Sequence, residues 1–402
     1  MKDEADVAWY HKEIKIPATW TGKRIFLNIG ASDWETSIYL DGVKIGNHQG
    51  GYTPFDAELA GVKPGSTHHI AIRADDKRRM FTLYGKQGYG NARGIWQTVY
   101  LEARGANFID HYAVNPDVDE KKAQVKVYLG APVSKEQAVQ VKLSNGESAV
   151  LKIPAGKQEG SVDMAINAMH LWSLEDPYLY GLTMTSGNDV VKGYFGMRKI
   201  SVVNLPGSKI PYIGLNNKPI YVQLALDQSY HPTGFYTFPS DQFMKDEIVR
   251  SKRIGLNGIR THIKVDVPRK LYWADKLGLL VMSDLPNSWG DPDADMQKES
   301  EYTLHEMIKR DYNHPAIFSW ITFNETWGLF THKDKKSIYT PETQKWVASV
   351  YHLAKKLDPT RLVEDNSVCC GRGHTETDIN SWHAYQAGYE WRSEEHTSEL
   401  QS

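Results

Sequence analysis

Cysteine is nearly absent from this chain, and the two that are present, Cys369 and Cys370, are adjacent. Two neighbouring cysteines provide neither a disulfide framework nor the spacing of zinc ligands, so no metal site is predicted. No apolar run approaches the roughly 18 residues of a membrane span, which argues against a membrane partner. Long basic runs are missing too, and the net charge is -2, so nucleic-acid binding has no electrostatic support.

The N-terminal residues lack the apolar core of a signal peptide and start close to a strand, so we expect an upstream piece to be missing. The compartment, the oligomeric state and any help from a divalent cation stay open, and no cofactor is predicted. The chain has 402 residues, of which 41% are hydrophobic and 24% charged. This composition is typical of a soluble globular protein with two or three domains.

Residues 1–106 show short alternating or apolar runs and no helical periodicity. Asp41-Gly42 separates two of these runs and predicts a two-residue hairpin turn. The pattern predicts a β-sandwich of the jelly-roll type. Aromatic rings in its loops offer flat surfaces for sugars, but packing is the commoner role and the interpretation we favour. These loop aromatics are Trp34, Tyr52, Tyr89 and Trp96.

Residues 107–203 contain further alternating segments, with turn signals at Asn145-Gly146 and Ser186-Gly187. About seven strands in roughly a hundred residues predict an immunoglobulin-like β-sandwich. We expect this module to orient its neighbours, because nothing in it suggests chemistry.

From residue 204 onwards strands alternate with helices, which predicts a parallel sheet of the TIM-barrel, (β/α)8, type. Strands are predicted at residues 218–226, 257–261, 278–284, 316–323, 361–365 and 378–383. Helices are predicted at residues 240–253, 268–277, 296–311 and 342–357. Six strands are fewer than the eight of a closed barrel, so residues 204–391 are predicted to form an incomplete one. The whole chain is then multidomain, β plus α/β.

The segment AIFSWITFNETWG, residues 316–328, carries the strongest chemical signal. Its apolar half reads as a strand buried on both faces, and the polar pair Asn324 and Glu325 follows where the strand ends. Chemistry in such barrels lies at the C-terminal ends of the strands. A glutamic acid between Trp320 and Trp327 suits a proton donor, with a loop-capping role as the alternative.

Other polar side chains follow the remaining predicted strands. Together they would place acid, amide, imidazole and guanidinium groups on one face of the barrel, which is the mark of a site. Such a set suits a polyhydroxyl substrate, because each hydroxyl both donates and accepts hydrogen bonds. The strand-end residues are Asp227, His231, Arg260, His262, Asp284, Asn324, Glu325, Glu364, Asp365, His383 and Tyr385.

The chain resembles the family 2 glycoside hydrolases, which include β-galactosidases, β-glucuronidases and β-mannosidases. The matching segments occur in the family's order: WETSIYLDGVKIGNHQGGYTPFDAEL, GIWQTVYLE, LWSLEDPYLYGL, YFGMRKI, LGLLVMSDLP, NHPAIFSWITFNETWG and LDPTRLVEDNS. The resemblance implies that Glu325 is the general acid/base and that Asn324 binds the sugar 2-hydroxyl. It also implies a substrate-binding set of Arg260, Asp284, His383, Asp227, His231 and Trp289.

The resemblance implies retaining hydrolysis of terminal β-linked sugars, in the manner of a β-galactosidase or β-glucuronidase. The loop LDQSYHPTG departs from the better-known galactosidase pattern, so the sugar and the linkage stay open. The family's nucleophile is a glutamate after the seventh strand, and we expect it to be absent from this chain. Glu364 and Asp365 match a structural segment instead. The 402 residues alone are therefore expected to be inactive.

Residues 392–402, RSEEHTSELQS, follow neither a strand nor a helix period and are predicted to be a non-native tail. We therefore expect the chain to be a fragment of a longer enzyme. Two other classes stay open. A non-catalytic carbohydrate-binding protein would bind glycans without turnover. A structural or adhesive β-sandwich protein would not need the Asn324-Glu325 pair.

Overall fold

The computed structural model describes residues 6–77, 79–83, 85, 93–369 and 373–383 of the chain. The first of its three modules is built from antiparallel strands. Two sheets, with strand orders β1-β7-β4-β5 and β6-β2-β9, share one apolar core, as the β-sandwich prediction requires. Asp41 and Gly42 form the expected turn between β4 and β5. The strands are β1 (Val7–Lys15), β2 (Arg24–Ile29), β3 (Ser32–Asp33), β4 (Glu35–Leu40), β5 (Val43–Gln49), β6 (Phe55–Glu58), β7 (Thr67–Asp75), β8 (Gly94–Ile95) and β9 (Val99–Arg104).

The second module is also a sandwich, with sheets β10-β11-β14 and β13-β12-β15-β16. Its strands bury every second residue, which is the pattern that the sequence predicted. The turn at Asn145-Gly146 joins β12 to β13, and Gly146 has a φ of 97°. The strands are β10 (Ile109–Asp117), β11 (Lys122–Leu129), β12 (Gln137–Leu143), β13 (Ser148–Ile153), β14 (Glu159–Ala165), β15 (Tyr180–Ser186) and β16 (Asp189–Phe195).

A small antiparallel sheet connects the second module to the third: β17 (Ile200–Asn204), β18 (Pro211–Leu215) and β19 (Lys218–Pro219). The single strand predicted over residues 218–226 was therefore wrong in extent. Asn216 and Asn217 adopt φ values of 53° and 64°, and this turn folds β19 back onto β18. The chain joins the parallel sheet only at Leu224.

The third module has helices packed against a parallel sheet with strand order β20-β21-β22-β23-β26. Helix starts and stops follow the sequence signals: Ser240 caps α1 through Phe243 N, and Gly278, with a φ of 71°, ends α2. The elements are β20 (Leu224–Asp227), α1 (Asp241–Arg253), β21 (Gly258–Thr261), α2 (Pro268–Leu277), β22 (Leu280–Asp284), α3 (Ala294–Asp311), β23 (Ile317–Ile321), β24 (Thr331–Lys333), β25 (Lys336–Ile338), α4 (Pro341–Leu357) and β26 (Leu362–Glu364).

The sixth strand, predicted at residues 378–383, is not formed. Asp378 N donates to Val363 O and His383 N to Val368 O, both at 2.9 Å, but a ladder does not develop between these points. The side chain of Asp378, rather than a backbone carbonyl, accepts from Val363 N. Within the described residues the parallel sheet therefore has five strands and does not close.

The loop aromatics of the first module pack against the third. Trp34 Nε1 donates to Glu299 Oε1 at 2.9 Å, and Tyr52 OH donates to Tyr236 OH at 3.1 Å. The rings of Trp96 and Tyr236 lie 5.4 Å apart. The packing interpretation is confirmed for these three aromatics, whereas Tyr89 lies outside the described residues.

Candidate active site

Arg260 is the centre of a buried polar cluster at the ends of β21, β22 and β23. Its Nε lies 3.0 Å from Asp284 Oδ2, and its Nη2 donates to Asp284 Oδ2 and to Asn324 Oδ1, both at 2.8 Å. Its Nη1 donates to Ser367 Oγ at 2.8 Å and reaches His383 Nε2 at 3.3 Å. A planar guanidinium that bonds on both edges fixes the relative positions of its partners.

Asp284 is the anionic partner in this cluster. Burial alone would raise the pKa of its carboxyl, but the charge and hydrogen bonds of Arg260, together with His262 Nδ1 at 3.3 Å, outweigh burial and lower it. The backbone N of Ile263 also donates to Asp284 Oδ2, at 3.0 Å. The pair is therefore an ionised clamp that is itself shielded from water.

Glu325 has two different neighbours on its two carboxyl oxygens. Oε1 lies 2.6 Å from His383 Nδ1, and Oε2 accepts from Trp327 Nε1 at 3.1 Å. Its backbone is left-handed, with a φ of 52°, and its N donates to Ser367 O at 2.7 Å. Such backbone strain is common where a functional side chain must be aimed, and here the contact with Ser367 holds it.

His383 connects Glu325 to the arginine cluster. Arg260 and Ser367 both lie at its Nε2, and an arginine side chain can only donate. We therefore assign Nε2 as the acceptor and Nδ1–H as the donor to Glu325. The ring of His383 therefore holds one carboxyl oxygen of Glu325 in place.

Asn324 has a buried donor directed into the same region. Its side chain accepts from Arg260, and Asn287 Nδ2 donates to its backbone carbonyl at 3.1 Å. Asn324 is 1% exposed, and its Nδ2 has no hydrogen-bond partner among the described residues. A buried amide hydrogen without an acceptor is costly, which is understandable if a ligand supplies the acceptor.

Trp289 lies beside the same segment. Its ring is 5.1 Å from that of Trp327, with a tilt of 42°, and its Nε1 donates to Gly85 O at 2.8 Å. Trp327 is 42% exposed. The structure thus brings together Trp289, Asn324 and Glu325, along with Arg260, Asp284 and His383.

The structure does not join Asp227 and His231 to this cluster. Asp227 pairs with Lys270, which is buried, and its Oδ1 accepts from Ser229 N at 2.7 Å. His231 Nδ1 lies 3.3 Å from the backbone N of Thr233 and contacts its own loop. Their predicted roles in substrate binding therefore gain no support from the contacts, and Tyr385 lies outside the described residues.

Glu364 and Asp365 are buried, as structural residues would be. Burial raises the pKa of Glu364, although a hydrogen bond from Ser381 and the charge of Arg260 oppose this. Asp365 accepts from His374 Nδ1 at 2.7 Å, and its other oxygen is bonded to Thr375. A nucleophile must be ionised and accessible, and neither carboxyl meets both conditions.

Comparisons with known proteins identify the family. Residues 107–198 match the profile of Glycosyl hydrolases family 2, and residues 209–398 match that of Glycosyl hydrolases family 2, TIM barrel domain. The chain belongs to family 2 of the glycosyl hydrolases. This confirms the resemblance and the architecture of a sandwich domain followed by a TIM-barrel domain.

Within family 2, the chain is 25% identical over 349 residues to a β-galactosidase of Thermoanaerobacter pseudethanolicus, covering 81% of this chain and 46% of the relative. It is 25% identical over 401 residues to a β-glucuronidase of Rattus norvegicus, covering 88% and 58%. The fold matches a β-galacturonidase from Eisenbergiella tayi bound to galacturonate, with a TM-score of 0.75 at 23% identity, covering 90% and 64%. The chain spans about half the length of the curated relatives it matches.

Two residues of this polar cluster were missed by sequence reasoning. Ser367 bonds Arg260 across 107 positions of the chain, and Asn287 bonds Asn324 across 37. Neither residue type nor local pattern marks such contacts, although Ser367 ends the quoted segment LDPTRLVEDNS.

Metal-binding groups of three or more His, Cys, Asp or Glu are not found in the described ranges. In the same ranges, every helix is too short or too polar to cross a membrane.

Proposed function

We propose that the enzyme containing this chain is a retaining β-glycoside hydrolase that acts on terminal β-linked sugars, with Glu325 as the general acid/base. The observation that carries the proposal is the orphaned Nδ2 of Asn324, whose side chain is linked to the carboxyl of Glu325 through Arg260 and His383. A sugar hydroxyl would accept from this amide, and Glu325 would then lie at the glycosidic oxygen. The curated relatives are β-galactosidases and β-glucuronidases, which supports this substrate class.

The reaction has two steps. A nucleophilic carboxylate attacks the anomeric carbon while Glu325 gives its proton to the leaving oxygen, and the carbon–oxygen bond breaks. Glu325 then removes a proton from water, which attacks the same carbon and releases the nucleophile. The proposal assigns the nucleophile to a carboxylate other than Glu364 or Asp365. Glu325 takes up a proton before the first step, because only the protonated carboxyl can act as the acid.

The test uses Glu325→Gln, which keeps the shape of the side chain but cannot transfer the proton. We expect turnover of substrates with poor leaving groups to fall by about 10²- to 10⁴-fold, with a much smaller loss for activated aryl glycosides. The matched control is Glu136→Gln in the second sandwich, whose side chain is 58% exposed. Equal losses on both substrate types would contradict the acid role.

Stereochemistry provides a second readout. In Glu325→Ala, azide should replace water, breaking the bond between the sugar and the nucleophile and forming a glycosyl azide with the substrate's own anomeric configuration. An inverted product, seen by NMR during hydrolysis, would exclude the retaining mechanism. Glycan binding without any turnover by the enzyme would instead favour a carbohydrate-binding protein.

A further inference from the structure

We infer that Trp327, supported by Trp289, forms the subsite for the leaving group, and that the first β-sandwich holds this subsite in place. The inference rests on the proposed acid role of Glu325. It goes beyond that role because it assigns the side of the site that recognises what the sugar is attached to.

The two carboxyl oxygens of Glu325 divide the site into two sides. Oε1 faces His383, which belongs to the polar cluster of Arg260 and Asn324. Oε2 faces the indole of Trp327. A general acid gives its proton to the oxygen that joins the sugar to the leaving group, so it lies at the border between the two. Since the polar cluster suits the sugar, the indole side is left for the leaving group.

Trp327 is suited to stacking because a large part of its ring is open. Its exposed fraction is 42%, whereas Trp320, seven residues earlier in the same segment, is fully buried and donates from Nε1 to Asp358 Oδ2 at 2.9 Å. The core therefore explains Trp320 but not Trp327. An exposed indole offers a flat apolar face to a second sugar ring or an aryl group.

Trp289 holds the indole of Trp327 from one side, and the first module holds Trp289. Besides the bond from Trp289 to Gly85, Ser288 Oγ donates to Met80 O at 3.1 Å. A Cβ added to Gly290 would lie 2.5 Å from Met80 O, so the two backbones approach too closely there for a side chain. The loop carrying Trp289 is thus clamped between the first sandwich and the segment that carries Glu325.

The first test compares two substrates with the same sugar: a disaccharide, and the glycosyl fluoride, whose leaving group fills no subsite. In Trp327→Ala we expect the ratio of kcat/KM for the disaccharide to that for the fluoride to fall about tenfold or more. Trp9→Ala is the matched control, since Trp9 is 52% exposed on the first sandwich, and its ratio should stay unchanged. An unchanged ratio in Trp327→Ala would overturn the inference.

Trp327→Phe separates stacking from the hydrogen bond to Glu325, because phenylalanine keeps a ring but has no N–H. We expect it to recover most of the disaccharide activity that Trp327→Ala loses. Equal losses in both variants would assign Trp327 to Glu325 alone and overturn the subsite.

Inhibition by a glyconolactone, which occupies only the sugar side, gives an independent readout, and its Ki in Trp327→Ala should stay close to that of the wild type. A Ki raised as much as the disaccharide kcat/KM falls would place Trp327 on the sugar side. If the full-length enzyme that contains this chain hydrolyses neither substrate, the proposed function itself fails, which is a different result from an active enzyme with an unchanged ratio.

Discussion

The second β-sandwich and the barrel module fill their interiors in opposite ways. The sandwich core is almost entirely aliphatic, with Val125, Val141 and Leu182 buried between its sheets. The barrel module buries many charged groups, such as Arg260 and Asp358, beside its own apolar core. Alternating apolar residues are stabilised by burial without needing specific partners, whereas each buried charge needs an opposite charge and hydrogen bonds.

Two groups of buried charges in the barrel module have different uses. Arg260 and Asp284 lie at the C-terminal ends of the strands and position the residues around Glu325. Arg361 and Asp358 lie near the start of β23, where Arg361 Nε donates to Ile317 O at 2.9 Å. Buried charge alone therefore does not mark a site. Its place relative to the strand ends does.

The largest effect on stability is expected from Asp358→Ala. Asp358 accepts from Trp320, Thr360 and Arg361, and the side chains of the Asp358–Arg361 pair are 0% and 2% exposed. Removing it leaves a buried guanidinium without its counter-ion, which typically costs about 3–5 kcal/mol. Urea unfolding, with hydrogen exchange in α4 as a local probe, measures the loss. Asp358→Asn should lose less stability, because it keeps a hydrogen-bond acceptor. A loss below about 1 kcal/mol in Asp358→Ala would contradict the claim that buried charges of the barrel module depend on pairing.

Leu182→Ala tests the aliphatic side of the comparison. Leu182 is 2% exposed in the sandwich core, and truncating a buried leucine to alanine costs about 2–5 kcal/mol. Because no charge is uncovered, we expect this loss to be the same at all moderate pH values. Leu182→Met keeps the volume and should cost less than about 1.5 kcal/mol. A strongly pH-dependent loss would show that the sandwich also relies on ionised groups.

Asn324→Ala tests whether the buried polar groups near Glu325 serve catalysis rather than stability. The contact to the sugar 2-hydroxyl is expected to strengthen in the transition state, so kcat should fall on the order of 100-fold while the Kd for substrate changes little. Steady-state kinetics and urea unfolding of the same variant separate the two roles. A change in KM alone, with kcat kept, would assign Asn324 to uniform binding.

Local signals in the sequence predicted the elements well, and contacts between distant residues explain the failures. Ser240 and Gly278 mark helix ends because their effects act within one turn of backbone. The strand predicted at residues 378–383 failed because Asp378 bonds the backbone of Val363. No local pattern in the sequence encodes that contact.

The sequence also predicted only part of the candidate site. The strand-end rule brought Arg260, Asp284 and Asn324 together, because parallel strands place their C-terminal ends at one edge. The same rule placed Asp227 there, but the buried Lys270 engages its carboxylate instead. The periodicity of apolar residues and the spacing of polar ones do not show which of several neighbours a side chain will bond.

His314 should make the stability of the barrel module depend on pH. Burial alone would lower the pKa of His314, but the charges of Asp275 and Asp311 outweigh burial and the opposing charge of Arg310, and raise it. Tyr194 of the second sandwich bonds the same Asp275 at 2.8 Å. A raised folded pKa adds stability below the ordinary value of about 6.5, and this is lost as pH rises through the folded pKa.

We therefore expect the barrel module to become easier to unfold with urea as pH rises above about 6.5. His314→Gln should reduce this slope, leaving the part that comes from His374, whose pKa Asp365 raises despite burial, and leaving the slope in acid. Hydrogen exchange followed separately in α2 and in β12 assigns the change to its module. An unchanged slope in His314→Gln would show that His314 is not its source.

The smallest effect is expected from an ion pair of the same chemistry on the surface of the second sandwich. Lys152 Nζ lies 3.2 Å from Glu136 Oε1, and the two side chains are 66% and 58% exposed. Water solvates both charges whether or not they meet, so Glu136→Gln should change the free energy of unfolding by less than about 1 kcal/mol. Added salt should erase even that difference, because exposed pairs are screened, while the cost of Asp358→Ala should persist. Equal costs for the exposed and the buried pair would mean that burial does not decide how much an ion pair matters in this protein.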